Sequence, residues 1–504
     1  MTLRRLVVML AIAWSVQIAA ADEPRGNTSR ENASSREAES KASATITRAD
    51  LAAAYLRLER AYFAQPPTEP SQIAAANQAF DRATQAFFLG DNARAIRTIN
   101  EITASLAPEA QTALTTLAAF KVTFDPPVLV LDDHASVRAN VRRIYETAPS
   151  AEIASLALRL RDSGGGVALE QTFDPRALDT NTAESNIDLS GAAERLAAGS
   201  YAVEIAAGGA AVNIGRWAVV ARSLDLVHDD YEVQLATITP STPQLAQALA
   251  ACKARNNLLS DHPSDASSAQ FLFDPTALAK QVGAEIESLL AERDPYVGRT
   301  GDYWRVLAAG EKEIPLRVYA PLIAAEKSPL PLLIALHGAG ADENMFLEGY
   351  GAGRIKRLAD EHGLLIASPS TNSFGAKPEV LDALLEALAY NYELDRSRVF
   401  CLGHSMGAGA SARLAKNAAE RLAAACCIAG GGNLGTEKPL APTLVLAAEL
   451  DAIVPRAGLE RGVQKAIDAG LPVELRLKQH YGHTLVVGMA LGEAVEWLLG
   501  HRRS

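Results

Sequence analysis

The sequence predicts a multidomain chain. Residues 299–504 form a mostly parallel β-sheet with flanking helices, preceded by helical and β-sandwich-like regions. Three observations predict it. After Gly298 short apolar runs recur at near-regular intervals with helical stretches between them, the pattern of alternating strand and helix. Residues 46–120 and 226–298 carry apolar residues at helical spacing, and residues 121–225 carry them at the period of two that marks half-buried strands.

Taken in order, the chain opens with Arg4 and Arg5, a short apolar stretch from Leu6 to Ile18 and the small residues Ala19-Ala20-Ala21. This predicts a signal peptide over residues 1–21 and an exported protein. The apolar run falls short of the roughly 20 residues a spanning helix needs, so no transmembrane segment is expected. Residues 22–45 are polar and read as a disordered linker.

Residues 46–120 read as helices over Ala49–Phe63, Ile73–Leu89 and Ala93–Leu106, and carry no chemical motif. The stretch from Ala79 to Ile96 resembles one tetratricopeptide hairpin. A single unit cannot form an array, so a plain helical bundle is the expectation. In residues 121–225, Leu156, Leu158 and Leu160 alternate with small or charged residues, and Val167–Leu169, Tyr201–Ile205 and Val212–Val220 add short strands. Leu196 to Tyr201 resembles the tyrosine corner of immunoglobulin-like sandwiches, which implies a bond from the tyrosine hydroxyl to nearby backbone. Residues 226–298 form a helical connector, with Leu278, Val282, Ile286, Leu289 and Leu290 on one helix face.

In residues 299–504 the expected strands are Tyr303–Ala308, Ile314–Tyr319, Pro331–Leu336, Gly363–Ala367, Arg398–Leu402, Ala423–Ala429, Thr443–Ala447 and Val473–Leu477. Between a strand and a helix stands Gly403-His404-Ser405-Met406-Gly407, a turn that lifts a serine hydroxyl clear of a sheet. The Gly-x-Ser-x-Gly pattern alone recurs by chance in roughly one chain in several of this length, so its weight comes from three further features. His337-Gly338-Ala339-Gly340 follows one strand, and such a turn aims backbone N–H groups at a developing oxyanion. Glu449-Leu450-Asp451 follows another, and His480-Tyr481-Gly482-His483 follows the last.

A serine alcohol needs a base within hydrogen-bond reach and an acid to orient that base. The order serine, acid, histidine is that of the α/β-hydrolase superfamily, which residues 300–504 resemble. More narrowly, the His337 to Phe346 stretch is similar to the phospholipase/carboxylesterase and feruloyl-esterase/polyhydroxybutyrate-depolymerase groups and to prolyl-oligopeptidase-type domains. Ser405 is the expected nucleophile, His483 the base and Asp451 its orienting acid. The backbone N–H groups of Met406 and Ala339, with Gly340 as the alternative to Ala339, are the expected oxyanion donors. His480 and Glu449 are the rivals of His483 and Asp451. His404 and His337 are expected to support the site, and Asp342, Glu343 and Asn344 to begin the next helix.

The link Gly430 to Pro442 is too short for a lid. That predicts an open site, unless the preceding 250 or so residues cover it, and suits a small-molecule or polymer-linked ester, with a peptide as the second substrate class. The expected activity is therefore a serine carboxylesterase, with a serine peptidase or an inactive hydrolase-like binding protein as the alternatives. No metal or cofactor is expected. The net charge of −11, or −13 once Arg4 and Arg5 leave with the signal peptide, argues against nucleic acid as a partner. Four cysteines (Cys252, Cys401, Cys426 and Cys427) read as buried thiols.

Overall fold

The computed structural model describes residues 46–131, 136–147, 155–174, 184–261, 272, 274–326 and 328–503. The expected signal peptide and linker lie outside the described residues. No helix among the described residues is long and apolar enough to cross a membrane.

Three helices lead the described chain: α1 (Arg48–Ala64), α2 (Pro70–Phe88) and α3 (Asn92–Ser105). Thr47 caps α1, accepting the Asp50 N–H while the Asp50 carboxylate accepts the Thr47 N–H, which satisfies two otherwise orphaned donors. Pro70 opens α2, where its missing N–H costs nothing. Their shared core contains Ala54, Leu58, Tyr62, Phe80, Ile96 and Ile99, and also Leu485 from the far end of the chain.

Eight strands follow among the described residues, with a short helix, α4 (Gln111–Leu117), before them and a single helical turn at Ser190–Ala193. The strands β1 (Phe120–Asp125), β3 (Arg138–Arg143) and β6 (Glu184–Asp188) form one sheet in the order β1-β3-β6. The second sheet runs β2-β8-β7-β4-β5, from β2 (Val128–Val130), β4 (Leu156–Arg161), β5 (Val167–Phe173), β7 (Gly199–Ala207) and β8 (Ala210–Val220). Both enclose one core, with Leu156, Leu158 and Leu160 all buried in it. The Tyr201 hydroxyl donates to the Ala197 carbonyl at 2.8 Å, the corner bond expected from the sequence.

Helices α5 (Leu224–Thr237), α6 (Pro243–Asn256) and α7 (Pro275–Leu290) come next. Val282, Ile286 and Leu289 of α7 share a core with strands of the third sheet, and Leu278 packs with Val128 and Val220 of the second.

The third sheet contains all eight strands expected after residue 299: β9 (Gly301–Ala309), β10 (Lys312–Ala320), β11 (Leu330–Leu336), β12 (Leu365–Pro369), β13 (Leu394–His404), β14 (Ala424–Ile428), β15 (Thr443–Ala448) and β16 (Val473–Lys478). Their order is β16-β15-β14-β13-β11-β12-β10-β9. β9 and β10 pair antiparallel, β10 joins β12 antiparallel, and every other pair is parallel. The central parallel strands β11, β12, β14 and β15 are buried along their whole length because both faces are covered, whereas the edge strand β16 alternates Glu474, Arg476 and Lys478 with apolar residues. Leu332, Ile334 and Leu336 of β11 face one core, and Leu333 and Ala335 face the other. Helices α8 (Arg354–His362), α9 (Pro378–Ala389), α10 (Met406–Asn417), α11 (Arg456–Asp468) and α12 (Val486–Leu499) supply the flanks.

All four cysteines are buried and unpaired. Burial pushes the Cys252, Cys401 and Cys427 thiols up to about 12, which leaves them unreactive.

Candidate active site

The chain turns from β11 to β12 on one side and to β13 on the other, and open sheets of this kind hold their sites at such a reversal, beyond the carboxyl ends of the strands. Four of the segments singled out in the sequence meet there. Ser405 follows β13 directly and is the N-cap residue of α10, with φ 54° and ψ −112°. A non-glycine residue in that region stores about 1–3 kcal/mol, which the surrounding packing must offset. Gly407 permits the turn, because a Cβ there would overlap the carbonyl of Leu336 on β11. The N–H groups at the start of α10, including that of Met406, have no intrahelical acceptor and sit beside the serine.

Asp451 follows β15. Its Oδ1 accepts the N–H groups of Ile453 at 2.9 Å and Val454 at 2.7 Å, which leaves Oδ2 to accept from His483 Nδ1 at 2.9 Å. The two side chains are 2% and 4% exposed, so the pair is shielded from water. Because a carboxylate only accepts, Nδ1 carries a proton, and in the neutral imidazole Nε2 then presents the lone pair. His483 and Ser405 line one cavity with Gly338, Ala339 and Gly340. The Ser405 hydroxyl makes no hydrogen bond among the described residues. In unliganded sites such bonds are often long and close only on substrate.

The rivals sit elsewhere. Glu449 accepts the His480 N–H at 2.8 Å, with the His480 ring 3.7 Å from the same carboxylate. Neither lines the cavity.

Two further histidines hold the turns. His404 Nε2 meets the His483 carbonyl at 2.9 Å; a carbonyl only accepts, so that nitrogen donates and Nδ1 accepts from the Tyr350 hydroxyl at 2.6 Å. Burial, and then the neighbouring His483, keep the His404 imidazole well below its usual value and therefore neutral. His337 donates from Nδ1 to the Gly338 carbonyl and accepts the Thr371 N–H on Nε2, both at 2.9 Å. Burial lowers its pKa as well. This fixes the glycine-rich turn to the loop after β12.

Asp342, Glu343 and Asn344 stand in a turn before one wide helical turn at Met345–Gly349, where a regular helix was expected. Their side chains are committed to other contacts: Asp342 to Arg48, Glu343 to Trp304 Nε1 and Asn344 to Arg317.

The contribution of residues 46–120 was not legible in the sequence. Helices α1–α3 stand against the strand ends and wall a cavity of about 580 Å³ over Ser405, through Leu51, Leu56, Phe80, Phe87 and Ile99 among others. Polar contacts fix them there. Asn77 Oδ1 accepts the Gly482 N–H at 2.8 Å, and Asp81 accepts the N–H groups of His483 and Ala452, each at 2.9 Å. Glu59 accepts the Gly351 N–H at 3.0 Å and the Tyr55 hydroxyl at 2.5 Å. The cover therefore comes from the start of the chain, not from the short Gly430–Pro442 link.

No family model matches the chain, and no curated protein matches it. Among solved structures it is similar to a thermostable esterase at 23% identity, over 40% of this chain and 63% of that one, with a TM-score of 0.33. It is also similar to an S-formylglutathione hydrolase from Staphylococcus aureus at 18% identity, over 40% and 99%, with a TM-score of 0.32. A ferulic acid esterase matches at 14% identity over 39% and 97%, with a TM-score of 0.34.

Proposed function

We propose that the chain is a serine hydrolase of carboxylic esters. The observation that carries this reading is the buried Asp451–His483 pair, whose imidazole lines the same cavity as the strained Ser405. In this reading His483 takes the Ser405 proton as Oγ attacks the carbonyl carbon. The tetrahedral oxyanion is met by the N–H groups of Met406 and of Ala339 or Gly340, each worth about 3–4 kcal/mol in the transition state. His483 then passes its proton to the departing alcohol. Water cleaves the acyl-enzyme by the same steps and regenerates Ser405.

The cavity lining supports a compact, uncharged, apolar ester over a polymer-linked one. Its charged lining groups are paired: Arg48 with Asp342 at 2.6 Å, and Glu348 with Arg317 at 2.9 Å. Residues 1–21 support export before the enzyme acts.

A fluorophosphonate probe tests the chemistry. It is expected to label the wild type and not Ser405→Ala. Turnover of p-nitrophenyl acetate, p-nitrophenyl butyrate and methyl ferulate is expected to exceed that of aminoacyl nitroanilides. The reverse ranking makes the chain a peptidase, and no labelling makes it a binding protein.

A further inference from the structure

Two side chains one turn apart on α2 reach the loops that carry the proposed acid and base. Asn77 Nδ2 donates to the Ile73 carbonyl at 2.9 Å, which turns its Oδ1 toward the Gly482 N–H. Asp81 divides its carboxylate between two loops: Oδ1 accepts the N–H of His483 itself, and Oδ2 accepts that of Ala452, the residue after Asp451. Three successive anchors thus hold the peptides on either side of the Asp451–His483 contact. Asn77 and Asp81 are 1% and 2% exposed, and the bonds to Gly482 and His483 are buried, while that to Ala452 is part-buried.

We infer that Asn77 and Asp81 are positioning residues that hold His483 and Asp451 in register for Ser405, an inference that rests on the serine-hydrolase reading. No lysine or arginine pairs with Asp81 among the described residues, and a buried carboxylate held only by neutral groups is costly. Burial raises its pKa, while the two N–H bonds and the neighbouring His483 act the other way. A residue needed only for packing would be apolar here. A carboxylate is the small side chain that accepts from two separate loops at once. Gly482 belongs to the same device, because a Cβ there would stand 2.8 Å from Asp81 Oδ1 and push the loop away. The helices before residue 120 are on this account part of the catalytic apparatus. Displacing a catalytic group by about 1 Å can cost on the order of a hundredfold in rate.

The test uses the whole chain and four variants. Asp81→Asn keeps the shape but offers one acceptor in place of two. Asp81→Ala removes both, Asn77→Ala frees the Gly482 N–H, and Arg97→Ala on the exposed face of α3 is the control. For the first three, kcat on p-nitrophenyl butyrate is expected to fall about tenfold to a hundredfold with KM within about twofold. Fluorophosphonate labelling is expected to slow in step, with the protein still folded at the assay temperature. Amide exchange in peptides covering 450–454 and 481–484 is expected to quicken in Asp81→Ala, and the control to match the wild type throughout. Unchanged exchange at both loops in Asp81→Ala, or unchanged kcat in Asp81→Asn and Asn77→Ala, overturns the inference. So does a loss of kcat accounted for by the unfolded fraction. An unlabelled wild-type Ser405 overturns the hydrolase reading and the catalytic half of the inference with it, and the exchange rates still decide the clamp.

Discussion

Glu59 makes the stability of this protein depend on pH in a direction opposite to that of most carboxylates. It lies on α1 with no cation beside it among the described residues, where it accepts the Tyr55 hydroxyl and the Gly351 N–H. Burial outweighs those two bonds and pushes its carboxyl from 4.5 up to about 7. Between these values the folded state holds a proton that the unfolded state has released. Stability from this group is therefore complete below about pH 4.5 and is lost as pH rises through about 7. The full gap, from 4.5 to about 7, is worth about 3.5 kcal/mol at about 1.4 kcal/mol per pH unit, of which about 3 falls between pH 4.5 and 8. Glu59→Gln removes the titration while keeping an acceptor for Gly351 and a donor for the Tyr55 oxygen. In urea unfolding at pH 4.5, 6, 7 and 8, the variant is expected to gain on the wild type by about 3 kcal/mol across the series. A difference that stays flat, or that favours the wild type more as pH rises, refutes the reasoning.

Ser405→Ala is expected to lower ester turnover by on the order of 10⁴–10⁶-fold with little change in melting temperature. His483→Ala is expected to behave alike, and His480→Ala to keep wild-type rates, since its ring faces Glu449. Gly407→Ala drives a methyl into the Leu336 carbonyl. It is expected to cost about 3 kcal/mol or more in denaturant unfolding and to abolish labelling of Ser405. Leu56→Trp narrows the cavity wall. It is expected to shift the ratio of kcat/KM for p-nitrophenyl acetate over butyrate toward acetate by about tenfold or more.

The large sheet was legible because its central strands β11, β12, β14 and β15 are buried on both faces, which writes each as a nearly continuous apolar run between turn residues. The positions of Ser405, Asp451 and His483 were legible for a related reason: each lies just past a strand, where a wound sheet gathers its loops. Four strands of the smaller sheets were not. Arg138–Arg143 reads as a charged segment until Phe120–Asp125 pairs with it, and Val128–Val130 is too short to carry a period.

The sequence by itself determined the wound sheet and the order of serine, acid and histidine along it, since burial and turn chemistry are local consequences of residue type. Only the tertiary structure decided that α1–α3 wall the cavity and that Asn77, Asp81 and Glu59 face protein and not water. A polar side chain on a helix reads as solvated whatever it touches. Asp81 and His483 are separated by 402 positions, and no local pattern spans that distance; packing alone turns a surface-like residue into a buried anchor.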